Sequence, residues 1–500
     1  MNHSPDAYRD LERRFRRLSL LNEARGLLGW DWATMMPEAS AESRAETVAE
    51  LGLIAHDMMT DPALTDLLAT AEDTAAALDP WQRANLGEMR RVWRHANAVP
   101  ARLVEALSRA GSACEMTWRA ARPADDFKTL APRLREVIAL VREQAAAKAD
   151  ALDCAPYDAL LDQYEPGGRS DEIEAIFDDL AEFLPAFTDA VLERQAAEAP
   201  VLPLDGPFPI DRQRALSERL MKAAGFPFDQ GRLDVSLHPF SGGTPDDLRI
   251  TTRYDEADFT SAVMAVLHET GHALYERGLP RAWRHQPVGE ARGMSVHESQ
   301  SLLMEMQACR SAEFIGFAAP LMRDAFGRDG PAWRADNLAR LYTRVGRGLI
   351  RVDADEVTYP THVILRYRLE RRILAGDLQV DDLPGAWREA MAELVGVTPE
   401  DDRDGCMQDI HWMDGTFGYF PTYTLGAMMA AQLFDAARRA EPDVMPGLAR
   451  GDFAPLLGWL RTNVHELGSS LTTAELLTQA TGRPLDPEIY KRHLATRYLG

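Results

Sequence analysis

Apolar side chains recur every three to four positions along most of the chain, which is the spacing of α-helices that bury one face. In the first two hundred residues this pattern predicts a succession of helices, with clear examples at 7–30, 133–152 and 170–199. Ser170 stands before acidic residues, as the N-cap of a helix commonly does. The proline-rich stretch 200–213 then interrupts the helical spacing.

One stretch departs from helical spacing. Residues 232–254 alternate between apolar and polar on either side of the sequence SGGTPDD, 241–247. Alternation predicts β-strands, and the glycines, proline and aspartates between them predict a connecting loop, so we expect a short hairpin or small sheet. Helical spacing resumes afterwards, and the chain as a whole is predicted to be mostly α with one small β element.

Composition and charge restrict the possible partners and location. The formal charge of −23 and a pI near 5.0 argue against nucleic acid and an anionic membrane as partners, because both would repel the chain. The N-terminus has no apolar segment of signal-peptide length, and no run of about 18 apolar residues suggests a membrane span. The four cysteines are too scattered for a disulfide framework or a thiolate zinc site, and a cytoplasmic protein is expected.

The sequence HETGH, from His268 to His272, lies in a predicted helix that ends near Gly278. On a helix, two histidines four residues apart share one face, so both imidazoles can bind one metal ion. Glu269 lies beside them, where it can hold a water molecule instead of binding the metal. Two histidines placed by chance in a buried helix are the alternative, but polar groups on a buried face need partners. Gly271 weakens the helix, which is explained if another segment must approach closely there.

Zinc held by two histidines needs a third protein ligand and leaves a fourth position for water. The extended HExxHxxGxxH pattern, which would supply a third histidine, is absent after Tyr275. We prefer Glu298, at the start of an apolar helix and 26 residues after His272 (298 − 272). Two alternatives stay open. Glu305 on the same helix face can compete as the ligand, and Ser295 with Glu298 matches a capping box that would only close the helix.

The motif HETGH, followed by HESQ at 297–300, resembles the carboxypeptidase Taq family of metallocarboxypeptidases. Further stretches are similar to that family, in order along nearly the whole chain: WDWATMMP (30–37), DLRIT (247–251), IRVDAD (350–355), GCMQDIHW (405–412) and GYFPTYTLG (418–426). Several ordered motifs are far more specific than one HExxH. The resemblance implies a single mostly α domain over residues 1–500, with a deep active-site groove as in neurolysin and angiotensin-converting enzyme. Within it, residues 1–200 would form a helical N-terminal region and residues 201–500 would carry the zinc site.

The resemblance also implies an activity and an assembly. The chain would be a zinc-dependent carboxypeptidase that releases C-terminal amino acids from peptides with broad specificity, and it would form a homodimer. Hydrolysis would use a metal-activated water with Glu269 as the general base, and cobalt could replace zinc. An extended peptide bound by its backbone along the DLRIT strand would make recognition largely independent of side chains.

The reaction further needs a hydrogen-bond donor for the oxyanion that forms when water attacks. His238, His411 and Tyr423 are the predicted donors, and Tyr419 is a further candidate. His411 lies in a motif that matches the family. The two tyrosines of FGYFPTY can equally serve as packing aromatics, so the sequence does not rank the candidates.

A carboxypeptidase must also recognise the free carboxylate of its substrate, which a guanidinium can bind through two hydrogen bonds. Arg249 and Arg351 are the candidates, because both lie in family-like motifs and the resemblance suggests arginines at the closed end of the groove. Ion pairs within the protein are the alternative for each, with Asp247 for Arg249 and with Asp353 or Asp355 for Arg351.

Two other functions remain compatible with these residues. An endo-oligopeptidase or dipeptidyl peptidase can use a similar helical groove, but its activity would not depend on a free substrate C-terminus. A non-catalytic binding protein with a structural zinc is the second. Glu269 argues against that second function, since a structural site has no use for a general base and normally fills all four ligand positions with protein groups.

Overall fold

The computed structural model describes residues 4–500, and helices dominate these residues. The helices before the strands are α1 (Ser4–Thr34), α2 (Ala41–Thr60), α3 (Pro62–Asp73), α4 (Pro80–Ala98), α5 (Ala101–Ala121), α6 (Phe127–Leu152), α7 (Pro156–Leu161), α8 (Ser170–Ala197) and α9 (Ile210–Ala223). The strands are β1 (Gly231–Val235), β2 (Phe240–Thr244) and β3 (Asp247–Thr252). The helices after the strands are α10 (Thr260–Gly278), α11 (Gly293–Leu302), α12 (Ala312–Phe326), α13 (Ala335–Tyr342), α14 (Tyr359–Ala375), α15 (Leu383–Leu394), α16 (Pro421–Ala440), α17 (Val444–Leu448), α18 (Ala454–Asn463), α19 (Thr473–Thr481) and α20 (Pro487–Leu499). The predicted mostly α fold with one small β element is confirmed.

The three helices predicted most clearly from apolar spacing are present as α1, α6 and α8. The prediction of Ser170 as an N-cap is wrong, because α8 begins at Ser170 and Arg169 takes the cap position without a side-chain hydrogen bond. The backbone N–H of Ser170 donates instead to Oδ1 of Asp158 at 2.8 Å. A carboxylate from outside the helix therefore satisfies this N-terminal group.

The three strands form one sheet in the order β1-β3-β2, with β1 parallel and β2 antiparallel to β3. The predicted hairpin is β2–β3, but its loop is shorter than predicted, because Gly242 and Gly243 belong to β2 and pair with Arg249 and Leu248. Gly243 has a φ of 92° and its backbone passes close to Asp247. These glycines thus serve a close approach within the sheet, not a loop.

The position of β3 bears on how a peptide could be held. β3 carries DLRIT and pairs with a strand on each side, so both of its edges are occupied. The predicted binding of an extended peptide along DLRIT is therefore wrong, because no backbone groups of β3 face an open edge. The open edges belong to β1 and β2, and β2 packs against α10, the helix that carries HETGH.

Apolar packing is divided between one large core and two smaller ones. The large core joins α5–α8 with most of the helices that follow the sheet, and a small core lies between the sheet and α10. The third core holds α1–α4 together and includes Leu11, Leu64, Leu68 and Met89, none of which is exposed. We call α1–α4 the N-terminal cluster.

The N-terminal cluster meets the rest of the protein around Asn85, which is fully buried. Its side-chain amide donates to Oε1 of Gln286 at 3.1 Å, and its side-chain carbonyl accepts from the N–H of Val288 at 3.2 Å. Trp81 stacks on Trp283 with ring centroids 5.7 Å apart. This contact is made by polar and aromatic groups outside the apolar cores.

α10 lies at the centre of the molecule, packed against α9, α11, β2 and β3. A Cβ atom on Gly271 would lie 2.5 Å from the carbonyl oxygen of Gln300 and 2.7 Å from Cα of Ser301. The predicted need for a small residue between the two histidines is therefore confirmed, because α11 approaches the backbone of α10 at this point. Within 4–500, no helix combines the length and the apolar character needed to cross a bilayer.

Candidate metal centre and active-site cavity

The three predicted metal ligands lie together where α10 meets α11. The Nε2 atoms of His268 and His272 are 3.9 Å and 3.5 Å from Oε2 of Glu298. One ligand atom from each of the three side chains lies within 4.8 Å of the other two. Among the described residues, this is the one group of histidine, cysteine and carboxylate side chains with such spacing.

The electrostatics of the three side chains suit a divalent cation. Burial raises the pKa of Glu298, but His268 and His272 outweigh burial and bring that pKa down to about 2. Burial, aided by His297, lowers the pKa of His272 to about 4, which keeps its imidazole in the neutral form that binds metals. Burial also lowers the pKa of His268, but Glu298 and Glu305 raise it to about 10, so these carboxylates attract positive charge. Two imidazoles and one carboxylate are a known ligand set of catalytic zinc.

Glu305, the alternative third ligand, lies on the other side of His268. Its Oε2 is 2.9 Å from Nδ1 of His268, the ring nitrogen that does not face Glu298, and its Oε1 accepts from Nη2 of Arg310 at 2.6 Å. A carboxylate in this position fixes the orientation and tautomer of a metal-binding histidine. The capping alternative for Glu298 is wrong, because α11 begins at Gly293 and has no side-chain cap.

Glu269, the predicted general base, is buried beside the ligand group with 7% of its surface exposed. Burial raises its pKa to about 6, and Glu298 adds to the rise, while His268 and a hydrogen bond with Ser241 of β2 oppose it. A carboxyl group whose pKa lies close to neutrality can both accept and return a proton, as a base that later acts as an acid must do.

A cavity of about 450 Å³, here called the active-site cavity, extends from these residues. His268, Glu269 and Glu298 line it, and so do Arg351 and Tyr423. Two of the three predicted ligands, the predicted base and one of the two predicted arginines therefore share one cavity. A substrate group bound by the arginine would lie in the same space as the group attacked beside the metal site.

Arg351 is fixed by hydrogen bonds inside the protein. Its Nε and Nη2 donate to Oδ1 of Asp409 at 3.2 Å and 2.7 Å, and its Nη1 donates to Oη of Tyr359 at 2.6 Å. A guanidinium has five N–H groups, so these three leave one on each terminal nitrogen for a ligand. The alternative prediction, an ion pair of Arg351 with Asp353 or Asp355, is wrong, because Arg351 pairs with Asp409 of the GCMQDIHW motif.

Asp409 is shared by two arginines. Nε of the fully buried Arg366 donates to Oδ2 of Asp409 at 2.7 Å, and Nη2 of Arg366 donates to Oε1 of Gln408 at 2.7 Å. Burial would raise the pKa of Asp409, but Arg366 and Arg351 hold it well below its usual range. Two guanidiniums against one carboxylate leave an excess of positive charge beside the active-site cavity, which favours an anionic ligand.

Tyr423 and His411, two predicted oxyanion donors, lie next to each other. Nε2 of His411 is 3.4 Å from Oη of Tyr423, and burial lowers the pKa of His411 to about 4, so its ring is neutral near pH 7. Tyr419 packs against Tyr423 with ring centroids 5.2 Å apart. Tyr359 also lines the active-site cavity, although sequence reasoning missed it. Its position just after the IRVDAD motif was the signal that could have found it.

Four predicted site residues do not line the active-site cavity: His272 and His411, whose contacts are given above, and Arg249 and His238. Arg249 makes the ion pair with Asp247 that the sequence left open, with Nη2 and Oδ2 2.6 Å apart, and its guanidinium lies 4.6 Å from the ring centroid of Trp30. His238 is exposed between β1 and β2, although its neighbour Pro239 lines the cavity. The predicted roles of Arg249 and His238 stay predictions.

Gly426 of α16 presses against the predicted ligand Glu298, since a Cβ atom there would lie 2.8 Å from Cβ and 2.9 Å from Cγ of Glu298. Gly426→Ala is therefore expected to displace the Glu298 carboxylate and to weaken the binding of a divalent metal by about 10- to 100-fold. Calorimetric titration of the metal-free protein with zinc measures this. Gly458→Ala is the matched control, because no atom lies within 4 Å of a Cβ there. Unchanged zinc affinity in the first variant would contradict the expectation.

Comparison with known proteins gives consistent matches along the chain. A family model described as carboxypeptidase Taq (M32) metallopeptidase matches residues 10–498. The chain is 39% identical over 503 residues to thermostable carboxypeptidase 1 of Thermus thermophilus, covering 98% of each protein. It is 43% identical to the solved metallocarboxypeptidase 1 of Trypanosoma cruzi, with a TM-score of 0.97 over 99% of this chain and 100% of that one. It is also 36% identical to an M32 carboxypeptidase of Deinococcus radiodurans, with a TM-score of 0.92 over 99% of each chain.

Proposed function

Because the chain belongs to the carboxypeptidase Taq (M32) family and is a metallocarboxypeptidase that acts on peptides, we propose that zinc, bound by His268, His272 and Glu298, is its catalytic metal. Two predictions from the motifs are confirmed. They are the family resemblance and a helical fold like that of neurolysin and angiotensin-converting enzyme. The observation that carries the proposal is that the three candidate ligands converge on one point, and that two of them, His268 and Glu298, share one cavity with Glu269 and Arg351.

The side chains around the candidate ligands have separate tasks in this proposal. Bound zinc would polarise the scissile carbonyl and lower the pKa of water. Glu269 takes the proton of the attacking water and later delivers it to the leaving amine. Glu305 keeps the His268 ring oriented through Nδ1, at 2.9 Å. Cobalt accepts the same donor set and could replace zinc.

Arg351 is the proposed anchor for the C-terminal carboxylate of the substrate. Its two unused N–H groups can bind both carboxylate oxygens, and the charge excess of the Arg351, Asp409 and Arg366 group favours an anion there. A peptide amide lacks that charge, so free C-termini would be preferred. Arg249 stays a second candidate, although it is already paired with Asp247.

Tyr423 is the proposed donor to the oxyanion, since it lines the active-site cavity and His411 lies 3.4 Å from its hydroxyl. His411 would then position that hydroxyl, and His238 and Tyr419 stay further candidates. Broad specificity is proposed on a different ground. β2 has an unpaired edge and packs against α10, the helix that carries Glu269, so a peptide held along that edge by its backbone would be bound independently of its side chains.

Assembly follows from the family resemblance and location from the sequence composition, and both are proposals. We propose a homodimer in the cytoplasm, built from a single domain over residues 1–500. All four cysteines are free, as is usual in a reducing compartment. Size-exclusion chromatography with light scattering measures the mass in solution, and a monomer at micromolar concentration would count against the dimer.

The proposed function is tested by comparing an N-blocked dipeptide that has a free C-terminus with its C-terminal amide. Amino acid release from the free acid by the zinc-loaded protein, with at least about tenfold slower cleavage of the amide, is the expected result. Removal of the metal by a chelator should abolish release, and zinc or cobalt should restore it. Equal cleavage of acid and amide would favour an endo-oligopeptidase, and no cleavage with either metal would favour a binding protein.

A further inference from the structure

The active-site cavity is separated from a second cavity by one layer of side chains. The second cavity, here called the rear cavity, also measures about 450 Å³, and Gln307 and Arg310 line both. Glu356 lines the active-site cavity, while its partners His493 and Arg497 line the rear cavity. The group formed by these five residues is called the wall below.

Hydrogen bonds of unequal length join the side chains of the wall to one another. Nε2 of His493 lies 2.8 Å from Oε1 of Glu356, and Nη1 of Arg497 donates to Oε2 of Glu356 at 2.8 Å. Gln307 is held less tightly, with its Nε2 3.1 Å from Oε1 of Glu356 and 3.2 Å from Nε2 of His493. Gln307 also lies in the π-helical segment Leu303–Cys309, a geometry common at functional sites. Gln307 therefore makes a longer hydrogen bond with Glu356 than His493 and Arg497 do.

The rear cavity has the lining and the opening of a route for a small zwitterion. Four arginines line it, and each has a carboxylate within 4 Å: Arg310 pairs with Glu305, Arg497 with Glu356, and Arg438 and Arg492 with Asp435. Two of these arginines are well exposed, with 44% of the Arg438 side chain and 62% of the Arg492 side chain accessible. The rear cavity therefore reaches the solvent, and its lining offers charged groups of both signs to a zwitterion.

We propose that the rear cavity is the exit route of the amino acid released by hydrolysis, a zwitterion with a free α-carboxylate. The inference rests on the proposed function. With its carboxylate on Arg351, the released residue would occupy the same cavity that Glu356 of the wall lines. The shortened peptide occupies the path by which the substrate came in. Departure through the wall empties the site before that peptide leaves, so the same peptide can advance for the next cleavage.

Thr496 of α20 gives a test, because it lines the rear cavity and is exposed. Thr496→Trp is expected to leave the first turnover unchanged and to lower the steady-state rate by at least about threefold, because release becomes limiting. Cleaved product should then appear as a burst of about one equivalent per active site. Rapid chemical quench with excess blocked dipeptide measures both phases. Ala495→Trp, on the same helix but outside the cavity, should behave as wild type.

A second variant tests whether the effect of Thr496→Trp comes from filling the rear cavity or from a disturbance of α20 itself. Ala312→Trp fills the rear cavity from α12, where Ala312 is exposed, and should give the same burst. Wild-type steady-state rates without a burst in both variants would overturn the exit route. A first turnover slowed as much as the steady state would also overturn it, since the substitutions would then act on cleavage. Failure of the proposed function can be told apart from failure of the exit route, because wild type itself would then release no amino acid from the free acid.

Discussion

Glu269→Gln is expected to lower kcat for peptide hydrolysis by about 10²- to 10⁴-fold while zinc stays bound, because the amide keeps the shape of the carboxylate but cannot take a proton. Glu269 is not within the group of candidate ligands, although it lines the same cavity. The effect should therefore fall on the proton transfer and not on metal affinity. Steady-state kinetics on the blocked dipeptide, with metal content measured on the same sample, checks the expectation.

Glu305→Gln is the matched control for this substitution, because it also replaces a buried carboxylate close to His268. Glu305 contacts Nδ1 of His268, so its loss should weaken zinc binding by about 10- to 100-fold and reduce kcat much less once zinc is saturating. If Glu269→Gln lost its metal in the same way, Glu269 would be a ligand or a support for one. If Glu269→Gln kept nearly wild-type kcat, Glu269 would not be the general base.

Arg351→Met is expected to cost the free-acid substrate about 2–5 kcal/mol in transition-state binding, a loss of roughly 30- to 4,000-fold in kcat/KM. The methionine removes both N–H groups that have no partner within the protein and leaves Asp409 paired with Arg366. Cleavage of the C-terminal amide should change little, so the preference for the acid should nearly disappear. Kinetics on the acid and amide pair measures the preference directly.

Arg249→Met provides the comparison for the second predicted arginine. Its guanidinium is engaged by Asp247 and Trp30 and does not line the active-site cavity, so the preference for the acid should persist. An equal loss of preference in both variants would mean that both arginines recognise the carboxylate. If only Arg249→Met lost the preference for the acid, Arg249 of β3, and not Arg351, would be the residue that binds the substrate carboxylate.

The features best predicted from the sequence depend on short spacing. His268 and His272 share a face of α10 because they are four residues apart, and the need for Gly271 follows from the same helix. Glu305 was harder to interpret. It lies seven residues after Glu298, which in an α-helix is the same face, but the chain enters a π-helical segment at Leu303 and the carboxylate meets Nδ1 of His268.

Contacts between distant segments could not be predicted from the sequence. Asp409 lies 58 residues from Arg351, and helical spacing gives no sign that the two pair instead of Arg351 and Asp353. Glu356 and His493 are 137 residues apart in the sequence, so their contact in the wall of the active-site cavity could not be predicted from the sequence. The glycines of β2 were predicted as a loop because glycine signals both turns and close approach, and only the pairing with β3 distinguishes these.

The separate core of the N-terminal cluster has a consequence for partial unfolding. Because the buried side chains of α1–α4 pack mainly on one another, opening of these helices exposes little of the large core beyond the face of α6 that α4 covers. The free energy of such an opening is smaller than that of global unfolding, and amide hydrogens in the cluster should exchange with solvent water through it. Limited proteolysis of the folded enzyme should accordingly cut first within these helices, before any cut among the helices that hold the metal ligands.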